Sequence, residues 1–121
     1  MIEKITAGSN HVIRRGDIYL VSLDPVEGSE IQKTRPCVII SNNQQNTFSP
    51  LVVTLPVTST ITKVFSFEVL IYIKNRRNKI LIDQIRTVDK LRLVRFIGKV
   101  NYQTIRKIEK AIHLVLGLDI C

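Results

Sequence analysis

Two histidines, two cysteines and ten carboxylates are the side chains in this 121-residue chain that ordinarily carry acid–base, covalent or metal chemistry. None is spaced for it. His11 stands near the N-terminus and His113 lies far away in an apolar helical stretch, so nothing pairs them as a general acid and base. No Cys/His group has zinc spacing. The Asp and Glu residues are scattered rather than gathered for a two-metal site, and no metal or cofactor is expected. Neither a GxxxxGKS/T loop nor a GxGxxG loop occurs. What the chain offers in quantity is guanidinium, hydroxyl and amide, groups that bind anions and stabilise negative charge.

Charge points the same way. Eighteen Lys and Arg against ten Asp and Glu leave a formal net charge of +8, which favours a polyanionic partner. Nucleic acid comes first and an acidic protein segment second. Aromatic residues are only 6% of the chain and Trp is absent, which argues against a broad base-stacking sheet. Cys37 in an apolar run and Cys121 at the end do not form a disulfide framework, and they are expected to be reduced thiols of a cytoplasmic protein. No apolar stretch approaches the roughly 20 residues needed to span a bilayer. The opening MIEKITAGSNHVIRRGD lacks the apolar region of a signal peptide, so no membrane association is expected.

The elements that must position these groups are mostly strands. Residues 1–12 read as a flexible leader and 13–121 as one domain. Asp17 to Leu23 alternates as a strand and is closed by Asp24-Pro25. Val26 to Thr34 reads as a loop, Cys37 to Ile40 as a buried strand led in by Arg35-Pro36, and residues 41–50 as a polar loop. Leu51 to Val57 is predicted as a strand despite Pro56, and Phe65 to Ile73 as a long β-branched and aromatic one. Lys74 to Lys79 is predicted as a basic turn, with Ile80 to Thr87 returning as the hairpin partner. Asp89 caps a short turn through Leu93. Asn101 caps a helix to about Leu116, with Ile105, Ile108, Ile112 and Val115 on one face and Gly117 as its stop. The predicted fold is mainly β with a C-terminal α-helix, a small curled sheet or barrel covered by that helix.

In order along the chain stand Arg15-Gly16-Asp17-Ile18-Tyr19, Leu23-Asp24-Pro25, Gly28-Ser29-Glu30 and Arg35-Pro36. Ser41-Asn42, Phe48-Ser49-Pro50, Val57-Thr58 and Asp83-Gln84-Ile85-Arg86-Thr87-Val88-Asp89-Lys90 follow. Each string is weak alone, but their order and spacing over about residues 13–118 resemble the MazF/PemK (Kid-like) toxins of type II toxin–antitoxin systems. That resemblance implies a homodimer of SH3-like β-barrels that cuts single-stranded mRNA at short sequences without a metal. It also implies neutralisation by a cognate antitoxin whose acidic tail occupies the RNA groove. By motif position, Arg35 and Thr58 look like the catalytic pair. One departure concerns base preference: Ile31-Gln32-Lys33-Thr34 stands where many members carry a glycine before the Arg-Pro step.

Physical chemistry supports those roles. With the substrate's 2′-hydroxyl as nucleophile, attack is intramolecular and alignment supplies much of the rate. The enzyme must then hold the extra negative charge on phosphorus. Arg35 offers a permanent cation with forked donors, and Thr58 a hydroxyl donor. A guanidinium with a pKa above about 12 is better suited to charge stabilisation than to proton transfer. Without the motif, Arg35 reads first as a loop arginine bound to a carbonyl, and Thr54, Ser59 and Thr60 rival Thr58. Ser29, Glu30, Lys33 and Gln84 are candidates for shaping or contacting RNA, although Glu30 can instead pair with Arg15 or Lys33. Lys74, Arg76, Arg77 and Lys79 are candidates for following the RNA backbone, or else the solvated tip of a hairpin. A second class remains open, a non-catalytic toxin of the same fold that binds a protein such as DNA gyrase.

Overall fold

The computed structural model describes residues 11–23 and 34–118. Seven strands and two α-helices follow one another: β1 (Asp17–Ser22), β2 (Thr34–Ile39), α1 (Asn43–Phe48), β3 (Leu51–Thr58), β4 (Val69–Ile73), β5 (Arg76–Ile80), β6 (Arg86–Asp89), β7 (Leu93–Lys99) and α2 (Tyr102–Leu116). Every strand pairing is antiparallel, in the order β4-β5-β3-β2-β1-β7, with β6 also paired to β3. β3 is the hinge of this arrangement. Its first half, Leu51 to Thr54, pairs with β6, and Val57 and Thr58 pair with β5. Pro56 lies where β3 changes partners, and its carbonyl accepts the Leu81 N–H at 2.8 Å.

Alternation along the strands fills two cores. Val38, Leu55, Val57, Ile71 and Ile80 pack with Ile108 and Ala111 of α2, and Tyr19, Val21, Cys37, Ile39, Val52 and Leu93 pack on the opposite side. The twisted antiparallel sheet curls into a half-barrel, and the C-terminal helix packs over one of its cores. α2 has the predicted bounds. Asn101 Oδ1 accepts the Thr104 N–H at 2.8 Å, and Gly117 ends the helix at φ +65°. Gly16, at φ +97°, donates its N–H to Ile39 O and accepts from Val100 N, tying the entry of β1 to the end of β7.

Several expectations change. Residues 41–50 contain a helix rather than only a loop. Asn42 caps it by accepting from Gln45 N–H, and buried Asn46 exchanges hydrogen bonds with Ser41. β2 begins at Thr34, so Arg35 and Pro36 lie within the strand. β4 starts at Val69, because Phe65 to Glu68 forms a turn in which Glu68 N donates to Phe65 O. The basic segment is mostly strand: only Lys74 and Asn75 turn, and Arg76–Ile80 is the hairpin partner. Ile82–Gln84 makes a short 3₁₀ turn, and β7 was not foreseen. His11, assigned to the leader, stacks on Phe96 at 3.8 Å between centroids and meets buried Asp17 at 2.7 Å.

Candidate active site

Antiparallel pairing of β2 with β3 sets Cys37 opposite Pro56, Val38 opposite Leu55 and Ile39 opposite Thr54. The pairing ends at Cys37; beyond it Arg35 pairs with Val21 of β1 and Thr58 with Lys79 of β5. Both residues lie where β2 and β3 run out of the core, and both line one cavity. Arg35 and Thr58 are half-buried, and among the described residues the Arg35 guanidinium has no ion pair or hydrogen bond. Thr58 Oγ1 accepts the Thr60 N–H at 3.1 Å, which fixes the lone pair of the hydroxyl and leaves its proton available to donate.

A second arginine stands on β6, the strand beside β3. Arg86 on β6 is paired with Thr54, whose hydroxyl donates to the Arg86 carbonyl at 3.1 Å. Burial pushes the Cys37 thiol up to about 12, while the charges of Arg35 and Arg86 pull it down. Sequence reading missed Arg86. Its two-residue offset from Gln84, in a strand alternating about Val88, was the signal that could have found it.

The β4–β5 hairpin supplies the next wall. Lys74 and Asn75 have φ of +52° and +65°, the paired left-handed geometry of a type I′ turn, and Ile73 faces Arg76 across it. This hairpin and the ends of β2 and β3 enclose a cavity of about 480 Å³ whose lining includes Arg35, Thr58, Lys74, Arg76 and Asn78. Among the described residues, Lys74 and Arg76 therefore join the catalytic candidates, and Arg77, Lys79 and Gln84 do not. Arg77 is exposed beside Tyr72, and Gln84 is exposed in its 3₁₀ turn. Lys79 is buried, with Nζ donating to Lys63 O at 2.6 Å and meeting Glu68 at 3.2 Å; it clamps the 59–68 loop. Ser29, Glu30 and Lys33 lie outside the described residues. Among the described residues no group of three or more His, Cys, Asp or Glu gathers to hold a metal ion, and no helix is long and apolar enough to cross a membrane.

Residues 14–116 match the model of the PemK-like, MazF-like toxins of type II toxin–antitoxin systems. The chain belongs to this family. Among solved structures it is similar to an endoribonuclease from a mycobacterial species, at 26% identity over 92% of this chain and 97% of the other, with a TM-score of 0.76. A mycobacterial endoribonuclease in complex with its cognate antitoxin matches at 25% identity, 92% and 99% coverage and a TM-score of 0.73. The MazE–MazF complex of Deinococcus radiodurans matches in fold, at 22% identity, 90% and 99% coverage and a TM-score of 0.78. The curled sheet with one long C-terminal helix is thus the MazF fold, and the PemK/MazF-like domain spans nearly all of the described residues.

Proposed function

We propose that this PemK/MazF-like chain is an endoribonuclease toxin that cleaves single-stranded mRNA at specific sequences without a metal. The observation that carries this reading is Arg35, without an ion pair or hydrogen bond among the described residues, sharing with Thr58 a cavity rimmed by two further cations. The likeness to endoribonucleases at 25–26% identity supports it. The substrate's 2′-hydroxyl gives up its proton to water as its oxygen attacks phosphorus, and the bond to the 5′-oxygen breaks as that oxygen takes a proton from water, leaving a 2′,3′-cyclic phosphate and a 5′-hydroxyl. Arg35 binds the non-bridging oxygens as charge accumulates, and Thr58 donates to the same oxygens. Arg86, Lys74 and Arg76 hold neighbouring phosphates by charge.

A cognate acidic antitoxin segment competes for this cationic surface, and the toxin works as a homodimer in the cytoplasm. Support for self-association comes from a separate surface. There a groove of about 840 Å³ between β4 and α2 exposes Leu70, Leu114 and Leu118. The test is incubation of the purified chain with a long unstructured RNA in EDTA, followed by mapping of the ends. Discrete internal cuts ending in cyclic phosphate are expected. Intact RNA at high enzyme concentration would favour the protein-binding class instead.

A further inference from the structure

We infer that the cavity beside Arg35 and Thr58 receives one nucleobase flanking the scissile phosphate, and that Asn78 reads it. This rests on the ribonuclease reading above and adds a specificity-determining residue to it. Asn78 lies on the core-facing side of β5, opposite Ile71 and two residues from Ile80, where an apolar side chain would be the ordinary choice. It is an amide in an apolar row, only 6% exposed.

Its orientation is set by chemistry. The Arg76 carbonyl, 2.8 Å away, can only accept, so the group facing it is the Nδ2 amine. Oδ1 then points the other way. Among the described residues Oδ1 has no partner, and it is not one of the fully buried unsatisfied atoms. Asn78 lines the cavity, so the exposure that Oδ1 retains is exposure to that space. Pro36, Val57 and Ile73 line the same space and supply apolar surface for a flat ring, and Lys74 and Arg76 stand at the rim. A polar slot with an apolar wall, a fixed acceptor and a cationic rim suits a base attached to a phosphodiester, and about 480 Å³ is ample for one nucleotide. Every base offers an N–H on its pairing edge, but at different positions. A rigid Oδ1 with the second Nδ2 proton beside it therefore favours one donor–acceptor arrangement over the others.

The test uses short single-stranded RNAs built around a mapped cut site, with each flanking position varied through the four bases. Wild type is expected to prefer one base at one flanking position. In Asn78→Ser, kcat/KM for that base should fall about 10- to 100-fold while the other three change little, so the preference at that position collapses and the other positions keep theirs. The ratio is read within one preparation, so a smaller folded fraction cancels. Ile73→Phe, which fills the slot from its apolar wall, should slow the preferred base most. An unchanged base ratio in both variants, with all substrates slowed alike, overturns the inference and leaves the ribonuclease reading standing. A wild-type protein that cuts no RNA overturns both.

Discussion

Arg35 and Cys37 sit two residues apart on one face of β2, one ending in a polar cavity and the other in the core. Charge behaves oppositely at the two positions. The Arg35 cation stays at the cavity edge, where an incoming phosphate is its natural partner. The thiol of Cys37 is fully buried and held protonated, up to about 12, against the pull of Arg35 and Arg86. Burial and the Asp17 carboxylate push the Tyr19 phenol above its ordinary range in the same sense. Both groups are neutral when protonated, and both have folded values above their unfolded ones. Their contribution is complete below about pH 9 and is lost as pH rises toward 12. Urea unfolding at pH 7 and pH 10.5 should show a clear drop in midpoint, smaller in Cys37→Ala. Equal drops in the two proteins would remove Cys37 from this explanation. Iodoacetamide at pH 8 should leave Cys37 unmodified in the native state, because the thiolate is the reactive form.

The hairpin shows how one segment divides between two jobs. Among the positions from Lys74 to Lys79, alternation and the I′ turn send Lys74 and Arg76 to the cavity, Arg77 to solvent and Lys79 inward to Glu68. Lys79→Ala leaves a buried carboxylate without its cation and is expected to cost about 3 kcal/mol of stability. Arg77→Ala should stay within about 0.5 kcal/mol. Chemical denaturation of the two variants checks this, and equal stabilities would refute the clamp. The sequence string alone shows six polar residues, and only the pairing register separates these fates. Where a single periodicity governed an element, as in β1 or α2 with its Asn101 cap and Gly117 stop, the sequence was enough to read it. Helix α1 was hidden because its residues have no apolar stripe, and it is held instead by the Asn42 cap and the buried Ser41–Asn46 exchange. β7 was hidden because Leu93 to Lys99 is broken by Arg95 and Gly98, and its pairing with β1 shifts register twice. Arg35 and Thr58 were legible through family motif order. Asn78 and Arg86 were not, since their positions depend on which strand lies beside which.

Across the whole molecule, a net charge of +8 is carried on a fold with a cationic cavity and a separate apolar groove. Binding of a short RNA and of an acidic antitoxin segment should both weaken steeply as salt rises from 50 to 200 mM, because each neutralises phosphate or carboxylate charge. Titration by fluorescence anisotropy at several salt concentrations measures this. Antitoxin binding indifferent to salt would point to docking through the apolar groove instead. The central claim concerns one guanidinium, and the direct measurement is the single-turnover cleavage rate of a mapped RNA in EDTA by wild type and Arg35→Ala. A loss on the order of 10²–10³ in rate, with the variant still folded and cut positions unchanged, is the expected result. Cleavage by Arg35→Ala at the same positions and at the wild-type rate would contradict it.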